Sequence, residues 1–101
     1  SDFKKDENYL IFSGIGNHQT FLTMMKKNGF KISKDIEFPD HYNYSELDIK
    51  KILEEADKYN CEVITTEKDY LRIENTYKGK IKFIKSNLEI IDEEKFLKFI
   101  I

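Results

Sequence analysis

Short apolar runs alternate with segments of helical period along this chain, and that alternation constrains the fold more than any single residue does. The first run, Tyr9-Leu10-Ile11-Phe12-Ser13, stops at Gly14 and reads as a buried strand. Asn17 then stands where it can cap a helix whose apolar positions are Phe21, Leu22, Met24 and Met25. Asn28-Gly29 stops that helix, with Gly29 suited to the left-handed residue beyond its end. Phe30 to Phe38 alternates as a second strand through Phe30, Ile32, Ile36 and Phe38, and Pro39 ends it.

Ser45 and Asp48 have capping-box spacing. Behind them Ile49, Ile52, Leu53 and Ala56 recur on one helical face, with Lys50, Lys51, Glu54, Glu55 and Asp57 on the solvated one. Cys61 to Thr65 is a third strand, with Cys61 read as a small buried hydrophobe. Thr66 and Asp69 repeat the capping spacing, which predicts a short helix through Tyr70, Leu71 and Ile73. Asn75 to Lys80 reads as a turn containing Gly79, and Ile81 to Ile84 as a fourth strand. Leu88 to Ile91 is placed as its extension after a bend, and Asp92 as the cap of a last helix carrying Phe96, Leu97 and Ile100. Residues 1–8 are polar and read as a linker or frayed end. The order β-α-β-α-β-α-β-α predicts an α/β domain of three layers over 9–101, a mostly parallel sheet of four to five strands with alternating helices.

Composition narrows the function. The 101 residues fit one domain, and 40% hydrophobic content supplies a core. A net charge of -2 argues against binding nucleic acid by phosphate neutralisation. Unbroken apolar runs end at three or four residues, so neither a membrane-spanning helix nor a signal-peptide core is present in this sequence. The lone cysteine, Cys61, has no internal partner, there is no zinc-ligand spacing, and the simplest compartment is reducing cytoplasm. With four glycines and no G-x-x-x-x-G-K-[ST], these residues contain no P-loop. Arg72 is the single exception to a general use of lysine, read as a compositional habit.

In a parallel sheet, ligands meet the loops at the C-terminal strand ends. Three polar loops fall there: Gly14-Ile15-Gly16-Asn17, Phe38-Pro39-Asp40-His41-Tyr42 and Thr65-Thr66-Glu67-Lys68-Asp69. Gly14 and Gly16 would let backbone N–H groups approach a phosphate, or simply make a tight turn capped by Asn17. Gln19 stands where a dinucleotide fingerprint has its third glycine. Asp40-His41 offers a carboxylate and an imidazole that can exchange protons, or a turn residue beside a surface histidine. His18, in a first helical turn, reads as solvated. Lys68 at a helix start is compensated by a polyanionic ligand or, more simply, by Glu67 and Asp69. A hydrolase built on Asp40 and His41 lacks a visible metal set or nucleophile.

In their order and spacing the three loops resemble tetraacyldisaccharide 4′-kinase, the lipid A 4′-kinase. Phe21 with its helix to Gly29, Tyr44-Ser45 with Leu47, and the Leu88 to Phe96 stretch resemble it too. The FPDH and TTEKD elements are specific; GIGN alone is not. One departure is His18, where the family commonly has proline. The likeness runs from about Tyr9 onward and matches the C-terminal portion of the family.

The resemblance implies a Rossmann-like lobe of an enzyme that transfers the γ-phosphate of ATP to the 4′-hydroxyl of a tetraacylated glucosamine disaccharide 1-phosphate. It implies a partner N-terminal lobe that carries the P-loop and holds ATP and Mg²⁺, leaving no metal ligand here. It further implies membrane association at the cytoplasmic face of the bacterial inner membrane through the parent enzyme, and inactivity of this lobe alone. His41 is implied as the histidine of an Asp–His dyad whose aspartate comes from the other lobe, with Asp40 setting its loop. Gly14, Gly16, Asn17, Thr66, Lys68 and Asp69 are implied to line the inter-lobe cleft or brace the hinge. The alternative is a stand-alone α/β module binding a phosphorylated ligand through the GIGN and Lys68 loops.

Overall fold

The structure, a computed structural model, describes residues 7–84. The elements run β1 (Asn8–Ser13), α1 (His18–Lys27), β2 (Lys31–Glu37), α2 (Glu46–Lys58), β3 (Cys61–Thr66), α3 (Glu67–Tyr70), α4 (Asn75–Lys78) and β4 (Lys82–Ile84). The strands form one sheet in the order β2-β1-β3-β4, and every pair is parallel. This is the expected α/β, Rossmann-like lobe. The proposed extension at Leu88 to Ile91, the helix after Asp92 and the start of the polar leader lie outside the described residues.

Topology follows from patterning. Strand β1 is buried on both faces, so it reads as a continuous apolar run rather than an alternation. Edge strand β2 alternates between exposed and partly buried positions, and across a register shift after Ile32 its apolar residues change face, Ile32 packing with the α1 side and Ile36 with the α2 side. From β1 the chain crosses to β2 in one direction and from β2 to β3 in the other, so the rule that parallel crossovers are right-handed sends the intervening helices to opposite faces. Packing agrees. Leu10, Phe12 and Val63 meet Ile49, Ile52 and Ala56 of α2 on one face. Tyr9, Ile11, Ile64 and Ile84 meet Phe21 and Met25 of α1 on the other. Each buried Val, Leu, Ile, Phe or Met side chain contributes about 1.5–3 kcal/mol by leaving water.

Local signals largely hold. Ser45 caps α2 in a reciprocal box, its hydroxyl accepting from Asp48 N at 3.0 Å while Asp48 Oδ2 accepts from Ser45 N at 2.9 Å. Gly29 takes the left-handed conformation, at φ 89°. Other local expectations fail: α3 ends at Tyr70, short of the expected Leu71 and Ile73. Asn17 makes no side-chain cap bond to α1. The segment read as a turn at Asn75 to Lys80 contains the one-turn helix α4. Cys61, at the start of β3, is only partly buried. Among the described residues, no helix is long and apolar enough to cross a membrane.

Candidate functional site

The chain runs from β1 outward to β2 and then back across β1 to β3. Reversal of strand order creates a crevice between the C-terminal ends of β1 and β3, where the loops leave in opposite directions. Gly14 lies on one side of it and Thr66 on the other. A buried carboxylate fills the space. Asp69 is 0% exposed, and its Oδ1 accepts from the Gly14 amide at 2.9 Å and from the Tyr44 hydroxyl at 2.8 Å. Its Oδ2 accepts from the Thr66 hydroxyl, whose oxygen in turn caps α3 by accepting from Asp69 N at 3.2 Å. Burial, with the Asp69 charge beside it, pushes the Tyr44 phenol well above its ordinary value, so the donor keeps its proton.

The FPDH loop lies across the same point. Phe38 N donates to Ser13 O at 2.8 Å and His41 N to Gly14 O at 2.9 Å. A Cβ at Gly14 would stand 2.8 Å from Pro39 O, so glycine is required by the close crossing of two backbones. Both halves of the Gly14 peptide environment are therefore occupied: its N–H by the TTEKD loop and its C=O by the FPDH loop. Beneath the loop, Phe12, Phe38, Tyr42 and Tyr44 pack ring to ring at centroid distances of 4.8 to 6.2 Å. Tyr42 also donates to Asp48 Oδ2 at 2.8 Å, tying the loop to the cap of α2.

On this support His41 stands out. Its side chain is 77% exposed and its φ is 59°, a left-handed backbone that costs a non-glycine residue about 1–3 kcal/mol. The imidazole is held from one side: Arg72 Nη2 lies 2.9 Å from Nδ1. On the other side, Asp40 Oδ2 lies 3.6 Å from Nε2, beyond hydrogen-bond length. Asp40 also stands over Gly16, where a Cβ would meet its Oδ2 at 3.4 Å.

The three loops thus meet, but their residues divide into two kinds. Asp69 and Thr66 are buried and use their polar atoms on each other, Gly14 and Tyr44. Asp40, His41, Gly16, Asn17 and Lys68 are exposed. Arg72 was absent from the sequence-based candidates. Its signal was present, since it is the one arginine among 17 basic residues and stands three positions after Asp69.

His18 is not solvated, contrary to expectation. It is 1% exposed, with Nδ1 2.6 Å from Ser13 Oγ and Nε2 2.8 Å from Asp35 Oδ2. A carboxylate only accepts, so Nε2 carries a proton. The wiring is that of a serine nucleophile with the ring nitrogens exchanged. Ser13 is fully buried, however, and no substrate carbonyl can reach it. The trio fastens the start of α1 to β1 and to edge strand β2. Among the described residues, no three acidic, histidine or cysteine side chains gather to hold a metal ion.

Comparison with known proteins agrees with the loops. A family model described as tetraacyldisaccharide-1-P 4'-kinase matches residues 2–101. A tetraacyldisaccharide 4'-kinase of Pelagibacter ubique (strain HTCC1062) is 56% identical over 93 residues, covering 92% of this chain and 30% of the relative. One from Rickettsia felis is 33% identical over 102 residues, covering 97% of this chain and 31% of the relative. One from Rickettsia bellii is 44% identical over 73 residues, covering 72% of this chain and 23% of the relative. The chain therefore spans about 30% of the length of the first two relatives. No solved structure matches it. With a family model matched over nearly its whole length, the chain belongs to the tetraacyldisaccharide-1-P 4'-kinase family.

Proposed function

We propose that this chain is the C-terminal lobe, over 9–101, of a lipid A 4'-kinase that transfers the γ-phosphate of ATP to the 4'-hydroxyl of tetraacyldisaccharide 1-phosphate. The N-terminal lobe supplies the P-loop, the ATP site and the aspartate base. The parent enzyme works at the cytoplasmic face of the inner membrane, and this lobe alone is inactive. The observation that carries the proposal is His41, a strained, exposed imidazole on an otherwise tightly bonded loop.

Chemistry assigns the lobe a supporting part. Phosphoryl transfer needs the acceptor hydroxyl aligned with the γ-phosphorus and a base to take its proton. The 4'-oxygen forms the new bond to phosphorus, ADP leaves, and the proton goes to the aspartate of the other lobe. His41 orients that aspartate across the cleft, and Asp40 borders the same loop. Gly16, Asn17 and Lys68 line the cleft, while Gly14, Thr66 and Asp69 brace it from beneath. We place the Mg²⁺ with the P-loop half, beside the ATP phosphates it would bridge, and no step is routed through it here.

The alternative, a stand-alone module that binds a phosphorylated ligand through the GIGN and Lys68 loops, meets a specific obstacle at the first of them. The Gly14 amide that would greet the anion already donates to the Asp69 carboxylate. An internal anion occupies that place and would repel a second. The test is transfer of labelled γ-phosphate by the purified full-length enzyme that carries this sequence. Label on the lipid supports the kinase; label released only as inorganic phosphate overturns it.

A further inference from the structure

We propose that Arg72 is a positioning residue that fixes the proton of His41 on Nε2, so that His41 meets the other lobe as a hydrogen-bond donor. The inference rests on the assignment of His41 to the phosphoryl-transfer site and adds to it a defined tautomer and the residue that sets it.

A guanidinium has five N–H donors, no acceptor, and does not lose its charge. Arg72 Nη2 lies 2.9 Å from His41 Nδ1. Nδ1 must therefore offer its lone pair. A neutral imidazole carries one N–H, so the proton resides on Nε2. That nitrogen has Asp40 only at 3.6 Å and belongs to a side chain that is 77% exposed, which leaves its N–H available to an acceptor outside this lobe. A carboxylate approaching from the other lobe is such an acceptor. The opposite role, in which Nε2 takes a proton from the hydroxyl, would need Nδ1–H pointing at a cation that can only donate.

Arg72 is itself firmly placed. Its backbone N–H donates to Asp69 O at 3.0 Å, at the end of the segment whose carboxylate holds Gly14. Gly14 O holds His41 N. Asp69 thus positions both the histidine backbone and the arginine that addresses its ring. Among the described residues, Arg72 Nη1 is buried without a hydrogen-bond partner, a cost of about 1–3 kcal/mol. A lysine, the base used at every other basic position of this chain, has no second nitrogen to strand there. The choice of arginine is accounted for by a planar group that reaches Nδ1 at a fixed angle.

The experiment uses the full-length kinase carrying this sequence, with ¹⁵N-labelled histidine. Long-range proton–nitrogen spectra report the tautomer, and the His41 signals are those missing from the His41→Gln protein. The expected result is the Nε2–H form in the wild type and a mixture of both tautomers in Arg72→Met. Arg72→Lys, which keeps a donor, should retain the Nε2–H form. In the kinase assay Arg72→Met should lower kcat roughly tenfold to a hundredfold with KM within about twofold, and Arg72→Lys, a donor without the planar group's fixed angle, should recover part of it. An Nδ1–H tautomer in the wild type, or an unchanged tautomer or kcat in Arg72→Met, would overturn the proposal. Full turnover in His41→Gln would instead overturn the assignment of His41, whatever the tautomer spectra show.

Discussion

The amide of Gly14 donates to the carboxylate of Asp69 at 2.9 Å, joining residues 55 positions apart. Through that bond the loop after β1 and the loop after β3 become one unit, and the FPDH loop is laid over it by His41 N and Gly14 O. The crevice in which this fold commonly receives a ligand is closed from within. Above it lies an exposed rim, where His41 stands.

Tyr44→Phe removes one of the donors to Asp69 Oδ1 without removing the ring. It should lower stability by about 1.5–3 kcal/mol, measured by urea unfolding at neutral pH. The folded phenol lies above its ordinary value of 10.0, so the bond contributes fully below that pH and its contribution is lost as pH rises beyond it. The advantage of wild type over Tyr44→Phe should therefore be constant at neutral pH and shrink in strong alkali.

Gly14→Ala should force Pro39 away, because its Cβ would stand 2.8 Å from a backbone oxygen. We expect a loss of about 1–3 kcal/mol and, with His41 N separated from Gly14 O, a fall in turnover larger than the unfolded fraction explains. Paired unfolding and kinase assays check both.

His18→Ala leaves Ser13 Oγ and Asp35 Oδ2 without their shared partner. Because Ser13 is fully buried, the cost should be about 2–4 kcal/mol, read from the denaturation midpoint. A solvated first-turn histidine would cost almost nothing.

Asp48 is held below its ordinary 3.8, first by the Ser45 amide and then by the Tyr42 hydroxyl. Its contribution is present above that value and disappears as pH falls through the lower, folded one. Asp48→Asn should cost about 0.5–1 kcal/mol at neutral pH, a modest figure because the group is solvated. The difference from wild type should vanish in acid, as pH-dependent unfolding would show.

Local chemistry was legible in the residues. The Ser45–Asp48 and Thr66–Asp69 caps, the Gly29 stop and the apolar period of α2 each depend on neighbours within a few positions. What escaped depends on strand order. His18 is buried because pairing of β1 with β2 places Asp35 opposite Ile11 and within reach of the start of α1. Asp69 looked like a cap and a cleft residue. Its second use, as acceptor from Gly14 and Tyr44, exists only once β3 lies beside β1. The left-handed backbone of His41 carries no sequence signal, since glycine is absent there, and Arg72 gained meaning only from the distance to its ring.

The most direct measurement is turnover and stability of His41→Gly in the full-length kinase. Glycine accepts the left-handed backbone, so relief of about 1–3 kcal/mol of strain should offset the roughly 0.5–1 kcal/mol cost of a freer unfolded glycine while the imidazole is lost. We expect kcat to fall by about 10²-fold or more with the thermal midpoint unchanged or raised. Turnover within about twofold of wild type would contradict the placement of His41 at the phosphoryl-transfer site.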